Sequence, residues 1–277
     1  MRALFLIPGN GSTQLQAFPA VEAVANQLQA QIHVVCSPSQ RDLWSLHPAQ
    51  VRVIPFNYEA ASLADWANLL GSIREPDFQL CFNRARGRQV DLMLSMSHIP
   101  SRIATDGFSA TERVQEIGDI WPNQAWQSWL QPIGVQLDAE SFRLPIPKAE
   151  LVAVAADLPP GDGPMLMLGR EGGSDDWPSE LWEKLPERIR GSLPTLRTIS
   201  DLEGSFHQRA ARMASADVVL ASAPVSIDLA LLLGLPVVAL GRATTQLPDR
   251  QGVRGLGQPN QLTTLRSDEV LSALGLA

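Results

Sequence analysis

Residues 216–240 read ADVVLASAPVSIDLALLLGLPVVAL. Val218 to Ala221 is a short β-rich apolar run, as expected of a strand covered on both faces. Ser226 to Leu233 is apolar at helical length, and Val237 to Leu240 is a second β-rich run. The longest apolar stretch, Leu229 to Leu240, is interrupted by Gly234 and Pro236, so it reads as helix, turn and strand and not as a membrane span. Strand, helix and strand in this order form a βαβ unit, which predicts a parallel sheet.

The same alternation extends in both directions. Towards the amino end, strands are predicted at Ala3 to Ile7, Ile32 to Cys36, Val51 to Phe56, Phe78 to Phe82 and Arg102 to Thr105. Helices are predicted over Gln14 to Gln29, Leu63 to Ile73 and Val90 to Met96. Residues 107–147 are less regular, with a helix over Gln124 to Leu130. Trp121, Trp126 and Trp129 in this segment suit either a packed core or an aromatic wall for a ligand. Leu144-Pro145-Ile146-Pro147 reads as an extended linker, since each proline disfavours helix in the residue before it. A second series follows: strands Met165 to Leu168 and Thr195 to Ile199, helices from Trp177-Pro178 to Ile189 and from Gly204 to Ala214, and a closing helix Asp268 to Leu274. The expected fold class is therefore α/β, with two Rossmann-like domains, 1–147 and 148–277, whose parallel sheets face a cleft.

The 277 residues suffice for two domains, and 45% hydrophobic against 18% charged residues is a globular composition. A net charge of −7 argues against nucleic-acid binding, which needs a basic surface, and allows at most a weak peripheral membrane contact. Cys36 and Cys81 fall in predicted strands without metal-ligand spacing and read as packed thiols of a reducing compartment. The apolar run Ala3 to Pro8 is too short for a signal peptide, so the expected location is the cytoplasm; oligomeric state is left open.

Three strand-to-helix turns could carry chemistry. Pro8-Gly9-Asn10-Gly11-Ser12-Thr13 is a glycine-bearing turn before a helix start, suited to an anion or a sugar hydroxyl, though it is neither a Walker A loop nor a full dinucleotide fingerprint. The run from Gly169 through Arg170, Ser174, Asp175 and Asp176 to Pro178 reads either as a phosphate-facing loop or as a helix entry capped by one of the aspartates. Ser222 to Asp228 joins a buried strand to an apolar helix; Ser226 could cap it, and Asp228 suits the helix dipole.

Taken together these turns resemble the heptosyltransferases (glycosyltransferase family nine), which include the enzymes that add heptose to lipopolysaccharide. Met1 to Leu6, the turn after it and Ala17-Phe18-Pro19-Ala20 match the family's start; Trp177-Pro178 and Leu181-Trp182 match its second-domain loop and helix. The most specific match is Ala216 to Leu220 through Leu233 to Leu240, ending at Thr244. The resemblance implies a GT-B fold with an acceptor-side first domain and a nucleotide-sugar second domain. It implies transfer of a sugar from a nucleoside diphosphate to a glycan or lipid-linked acceptor, with inversion, without a metal, and with no cofactor beyond the donor. On the acceptor side it points to Gly9, Asn10, Gly11 and Ser12. For the donor it points to Gly169, Arg170, Ser174, Glu203, Ser222, Ser226, Arg242 and Thr244.

The chain departs from the family pattern at charged positions. Thr13 stands where the family has its aspartate base, and Asp175 where a lysine faces the donor phosphates. Ala223-Pro224-Val225 replaces Asp-Ser/Thr-Gly, and Asp228 replaces a histidine. Asp175 and then Asp228 are the carboxylates left as base candidates, and Arg170, Arg242 and the helix start at Ser226 are the sources of positive charge. Two alternatives follow: a member that binds a nucleotide sugar or a protein partner without turnover, and a nucleotide-sugar epimerase of the same fold.

Overall fold

The apolar run at the start of the chain becomes the middle of a sheet. In the computed structural model, which describes residues 1–200 and 204–276, the chain divides into two units, Met1–Phe142 and Arg143–Ala277. In the first unit β1 (Arg2–Leu6) pairs in parallel with β2 (Gln31–Cys36) on one side and β4 (Leu80–Asn83) on the other. Ala3 to Ile7 are fully buried, which is why no polar alternation is visible there. With β3 (Val51–Pro55), β5 (Ser101–Ala104) and the two-residue β6 (Glu112–Arg113), the order is β3-β2-β1-β4-β5-β6.

The helices cover this sheet. The helix expected over Gln14 to Gln29 is two helices, α1 (Gly11–Gln16) and α2 (Phe18–Gln27). Pro19 in the first turn of α2 has no N–H to continue the α1 ladder, so the chain restarts at Ala17. α3 (Leu63–Arg74) begins with a capping box between Ser62 and Asp65. It packs with α4 (Arg88–Met96) on the face of Leu4, Leu6, Val35 and Cys81. Short helices α5 (Pro122–Ala125) and α6 (Gln127–Leu130) replace the single predicted one. Trp126 and Trp129 lie 5.7 Å apart by ring centroid and Trp126 lies 6.1 Å from Phe5. All three tryptophans are buried, so they are core and not a pocket wall. Burial pushes the Cys36 and Cys81 thiols up to about 12, and both remain unbridged.

The second unit opens at Arg143, so residues 144–147 belong to it, and Leu144 N–H donates to the Leu232 carbonyl at 2.8 Å. α7 (Lys148–Ala155), unanticipated in the sequence, follows. Then come β7 (Met165–Gly169), α8 (Ser179–Arg190), β8 (Arg197–Ser200), α9 (Phe206–Ala214), β9 (Val218–Ala221), α10 (Pro224–Leu233), β10 (Val237–Leu240), β11 (Val253–Leu256) and α11 (Ser267–Ala273). The sheet is parallel, in the order β11-β10-β9-β7-β8. One face carries Leu166, Leu220, Val238 and Leu240 against Trp182, Leu185 and Ile189 of α8. α10 packs on β9, β10 and α9, with Ser226 to Leu232 buried, which accounts for its lack of a polar side. Gly234 at φ +79° ends it, and Leu235 N–H returns to the Ala230 carbonyl at 3.1 Å. No described helix is long and apolar enough to cross a membrane.

Candidate functional site

Strand order places the crevices. From β7 the chain crosses to β8 on one side and then to β9 on the other, so the loops leaving β7 and β9 diverge. Ligands of open α/β sheets bind at such switch points, beyond the carboxyl ends of the strands. A pocket of about 560 Å³ lies there. Glu171 to Asp176, Ser222, Pro224 and Gly241-Arg242 form three of its walls. The fourth comes from Pro259, Asn260 and Leu262, which the sequence reading did not single out.

Each wall has a local cause. Gly169 lets α10 approach β7: a Cβ there would stand 2.7 Å from Ser226 Cβ and 3.0 Å from Ala221 Cβ. The Gly169 carbonyl accepts from Ser222 N–H at 2.9 Å and Ala223 N–H at 3.1 Å, and Glu171 N–H donates to Ser222 Oγ at 3.0 Å. Asp176 is buried and takes Gly172 N–H at 2.8 Å and Trp177 N–H at 2.7 Å, curling the loop back on itself. Gly172 and Gly173 sit at φ +81° and +100°, which glycine adopts without strain.

Neither Asp175 nor Asp176 caps α8; its N-cap is Pro178, and Pro178 is therefore not in the first helical turn. Ser226 likewise does not cap α10, whose N-cap is Ala223; Ser226 lies inside the first turn, 1% exposed, and does not line the pocket. The reason in both cases is proline, at the boundary itself or at the first helical position, where a missing N–H costs no helical bond. Thr244 opens an exposed 3-10 turn after β10. Glu203 lies outside the described residues.

The electrostatics were not legible beforehand. Asp228 is fully buried, and Arg242 NH1 donates to its Oδ1. The guanidinium is itself only 11% exposed by side chain. Arg242 is the one cation lining the pocket among the described residues, and Glu171, Asp175 and Asp176 line it too. Arg170, at the end of β7, is half-buried and does not line it.

In the first unit the switch falls between β1 and β4. Gly9 has φ +108°, and a Cβ on it would stand 2.9 Å from Thr13 Oγ1. Asn10 caps α1: its Oδ1 accepts from Thr13 N–H at 3.2 Å and from the Thr13 hydroxyl at 3.3 Å. Gly11 and Ser12 are buried, and Gln16 Nε2 donates to Ser12 Oγ at 3.1 Å. A concavity of about 730 Å³ joins Pro8 to Asn10 with Ser37 to Gln40 and Asn57 to Glu59. The last two groups were missed, because a 3-10 helix (Pro38–Leu46) and an irregular turn bring them there without periodic signal.

No protein-family model matches the chain, and no curated protein matches it in sequence. Solved structures do. The chain is similar to a glycosyl transferase family 9 protein of Veillonella parvula, with TM-score 0.79, 11% identity and coverage of 99% of this chain and 96% of that one. It is similar to the ADP-heptose LPS heptosyltransferase II of E. coli, with TM-score 0.75, 15% identity and coverage of 99% and 98%. It is also similar to the E. coli heptosyltransferase WaaC with ADP, with TM-score 0.72, 14% identity and coverage of 99% of both chains. At such identities the shared property is the fold: this chain has the two-sheet α/β architecture of the GT-B glycosyltransferases.

Proposed function

We propose that the chain is a glycosyltransferase that takes a nucleoside diphosphate sugar on its second unit and passes the sugar to a hydroxyl of a glycan or lipid-linked acceptor held by the first. The observation that carries this reading is the pocket at the β7/β9 switch point, framed by the glycine-bearing loop, the start of α10 and Arg242. A departing diphosphate needs positive charge and N–H donors. Arg242 has five donors and NH1 is given to Asp228 Oδ1, so Asp228 acts here to aim the guanidinium and not to take a proton. Asp175, exposed and lining the pocket, is then the first base candidate, with exposed Glu171 in the same lining. The resemblance implies inversion without a metal.

A second reading is favoured by one observation: the Thr13 hydroxyl, at the family's base position, donates to Asn10, and a neutral hydroxyl cannot take a proton at neutral pH. That arrangement suits a protein that binds a nucleotide sugar or a partner protein without turnover. Calorimetry with nucleoside diphosphates and nucleotide sugars, followed by assay of nucleoside diphosphate release with glycan acceptors, separates the readings. Binding with acceptor-dependent release supports transfer; binding without release supports the silent binder; interconversion of the donor sugar without release indicates an epimerase. Absence of all binding overturns the assignment.

A further inference from the structure

The first sheet has another concavity at its opposite edge, beside the amino ends of β1 to β3. It measures about 430 Å³ and is lined by Arg2, Gln31, His33, Gln50 and Arg52 among others, with no carboxylate in the lining. The ladder sets this arrangement: Arg2 is paired with Gln31, and His33 with Arg52. The Arg2 guanidinium is held in place, because its Nε donates to Gln31 Oε1 at 3.1 Å and its NH1 to the Pro76 carbonyl. Arg52 is exposed. His33 is 6% exposed, edge-on to Phe78 at 4.8 Å, and its Nδ1 is sealed from solvent with no hydrogen-bond partner. Burial lowers the His33 pKa first, and the charges of Arg52 and Arg2 lower it further.

Two arginines thus line one small space whose lining holds no acid, in a chain of net charge −7. Like charges brought together are unfavourable unless an anion joins them, and guanidinium forks match phosphate oxygens in geometry as well as charge. The space exceeds a bare phosphate and leaves room for a small group attached to it. None of these residues belongs to the pocket at the β7/β9 switch point.

We propose that this concavity is an anion site that takes a phosphate group, free or carried on a small phosphorylated metabolite, between the guanidinium groups of Arg2 and Arg52. The test uses the full chain at constant ionic strength, titrated with orthophosphate and, in a second arm, with glycerol phosphate, against chloride. Each is read by melting temperature and by the His33 ring resonances in NMR. Phosphate at millimolar levels should raise Tm and shift the His33 resonances. Glycerol phosphate binding more tightly than orthophosphate identifies a metabolite ligand, and equal affinity identifies the free ion. In Arg52→Glu, an exposed change expected to fold as wild type, affinity should fall about tenfold or more. Unmoved His33 resonances would overturn the proposal. So would stabilisation that needs on the order of hundreds of millimolar salt and persists unchanged in Arg52→Glu, the behaviour of an excluded kosmotrope.

Discussion

In the first unit the turn after the central strand is tied by a neutral side chain, Asn10, which holds both the backbone and the hydroxyl of Thr13. In the second unit the corresponding ties are charged: the Asp176 carboxylate gathers two backbone N–H groups, and the buried Asp228 is matched by Arg242. A neutral tie, once lost, leaves groups that water can satisfy. A buried charged tie, once lost, leaves a carboxylate shut away from solvent with its matching cation gone. Both sets of ties sit where a strand of a parallel sheet passes to a helix, so the difference lies in what it costs to alter each turn.

The largest expected effect tests that difference directly. Arg242→Ala removes the guanidinium from the fully buried Asp228 carboxylate and, by breaking a buried ion pair, should destabilise the protein by about 3–5 kcal/mol. Replacing both partners by apolar residues, Asp228→Leu with Arg242→Met, should recover most of the loss, since a buried pair often contributes little net stability. Urea unfolding measures both. If Arg242→Ala cost less than loss of the Asn10 cap, the contrast between the units would be wrong.

This pair also shows where sequence reading stops. The βαβ unit at residues 216–240 was legible because its strands are uninterrupted apolar runs and its helix ends on Gly234. β11 was not, since Val253-Arg254-Gly255-Leu256 carries a charge and a glycine in four residues. Its glycine is there for backbone contact: a Cβ would stand 2.3 Å from the Arg242 carbonyl oxygen. Two-residue β6 lies below any periodic signal. Asp228 and Arg242 could each be placed near a strand end or helix start. That they pair depends on β10 lying beside β9, a tertiary fact with no signature at their sequence separation.

Close packing in the second unit gives the next effect. Gly169→Ala puts a methyl 2.7 Å from Ser226 Cβ and 2.9 Å from its Oγ, neither of which is the end of a flexible chain. Overpacking of this kind should cost about 1–3 kcal/mol and lift the start of α10 away from β7. The second consequence is functional: if the donor pocket is read correctly, nucleotide affinity should fall more than expected from stability alone. Equal affinity in the variant would place the donor elsewhere.

For the neutral turn the expected cost is smaller. Asn10→Ala removes the α1 cap and the acceptor of the Thr13 hydroxyl, for about 1 kcal/mol, and the loss should be nearly independent of salt. Thermal unfolding at low and high ionic strength checks this. A strong salt dependence would mean that the turn responds to charges that the geometry does not show.

The smallest effect is one of slope, and it marks where the first unit is not indifferent to charge. His47 is buried with its ring between two backbone partners: Nε2 lies 3.0 Å from the Phe18 carbonyl, and Nδ1 accepts from Ala49 N–H at 3.1 Å. An Nδ1 that accepts is unprotonated, so the neutral ring with its proton on Nε2 fits the site. Burial lowers its pKa, against smaller opposing effects from the Phe18 carbonyl and Glu22. The folded pKa therefore lies below the unfolded value of about 6.5, and between the two the unfolded chain binds more protons. Stability is fully present above that unfolded value and is lost as pH falls through it towards the folded pKa. The loss levels off once pH is below both. His33 shifts in the same direction and adds to the slope. Urea midpoints measured from pH 8 to pH 5 should decline towards acid, and His47→Gln should be less stable at pH 8 yet decline less. A variant with the full wild-type slope would assign the acid sensitivity to other groups and leave His47 as packing alone.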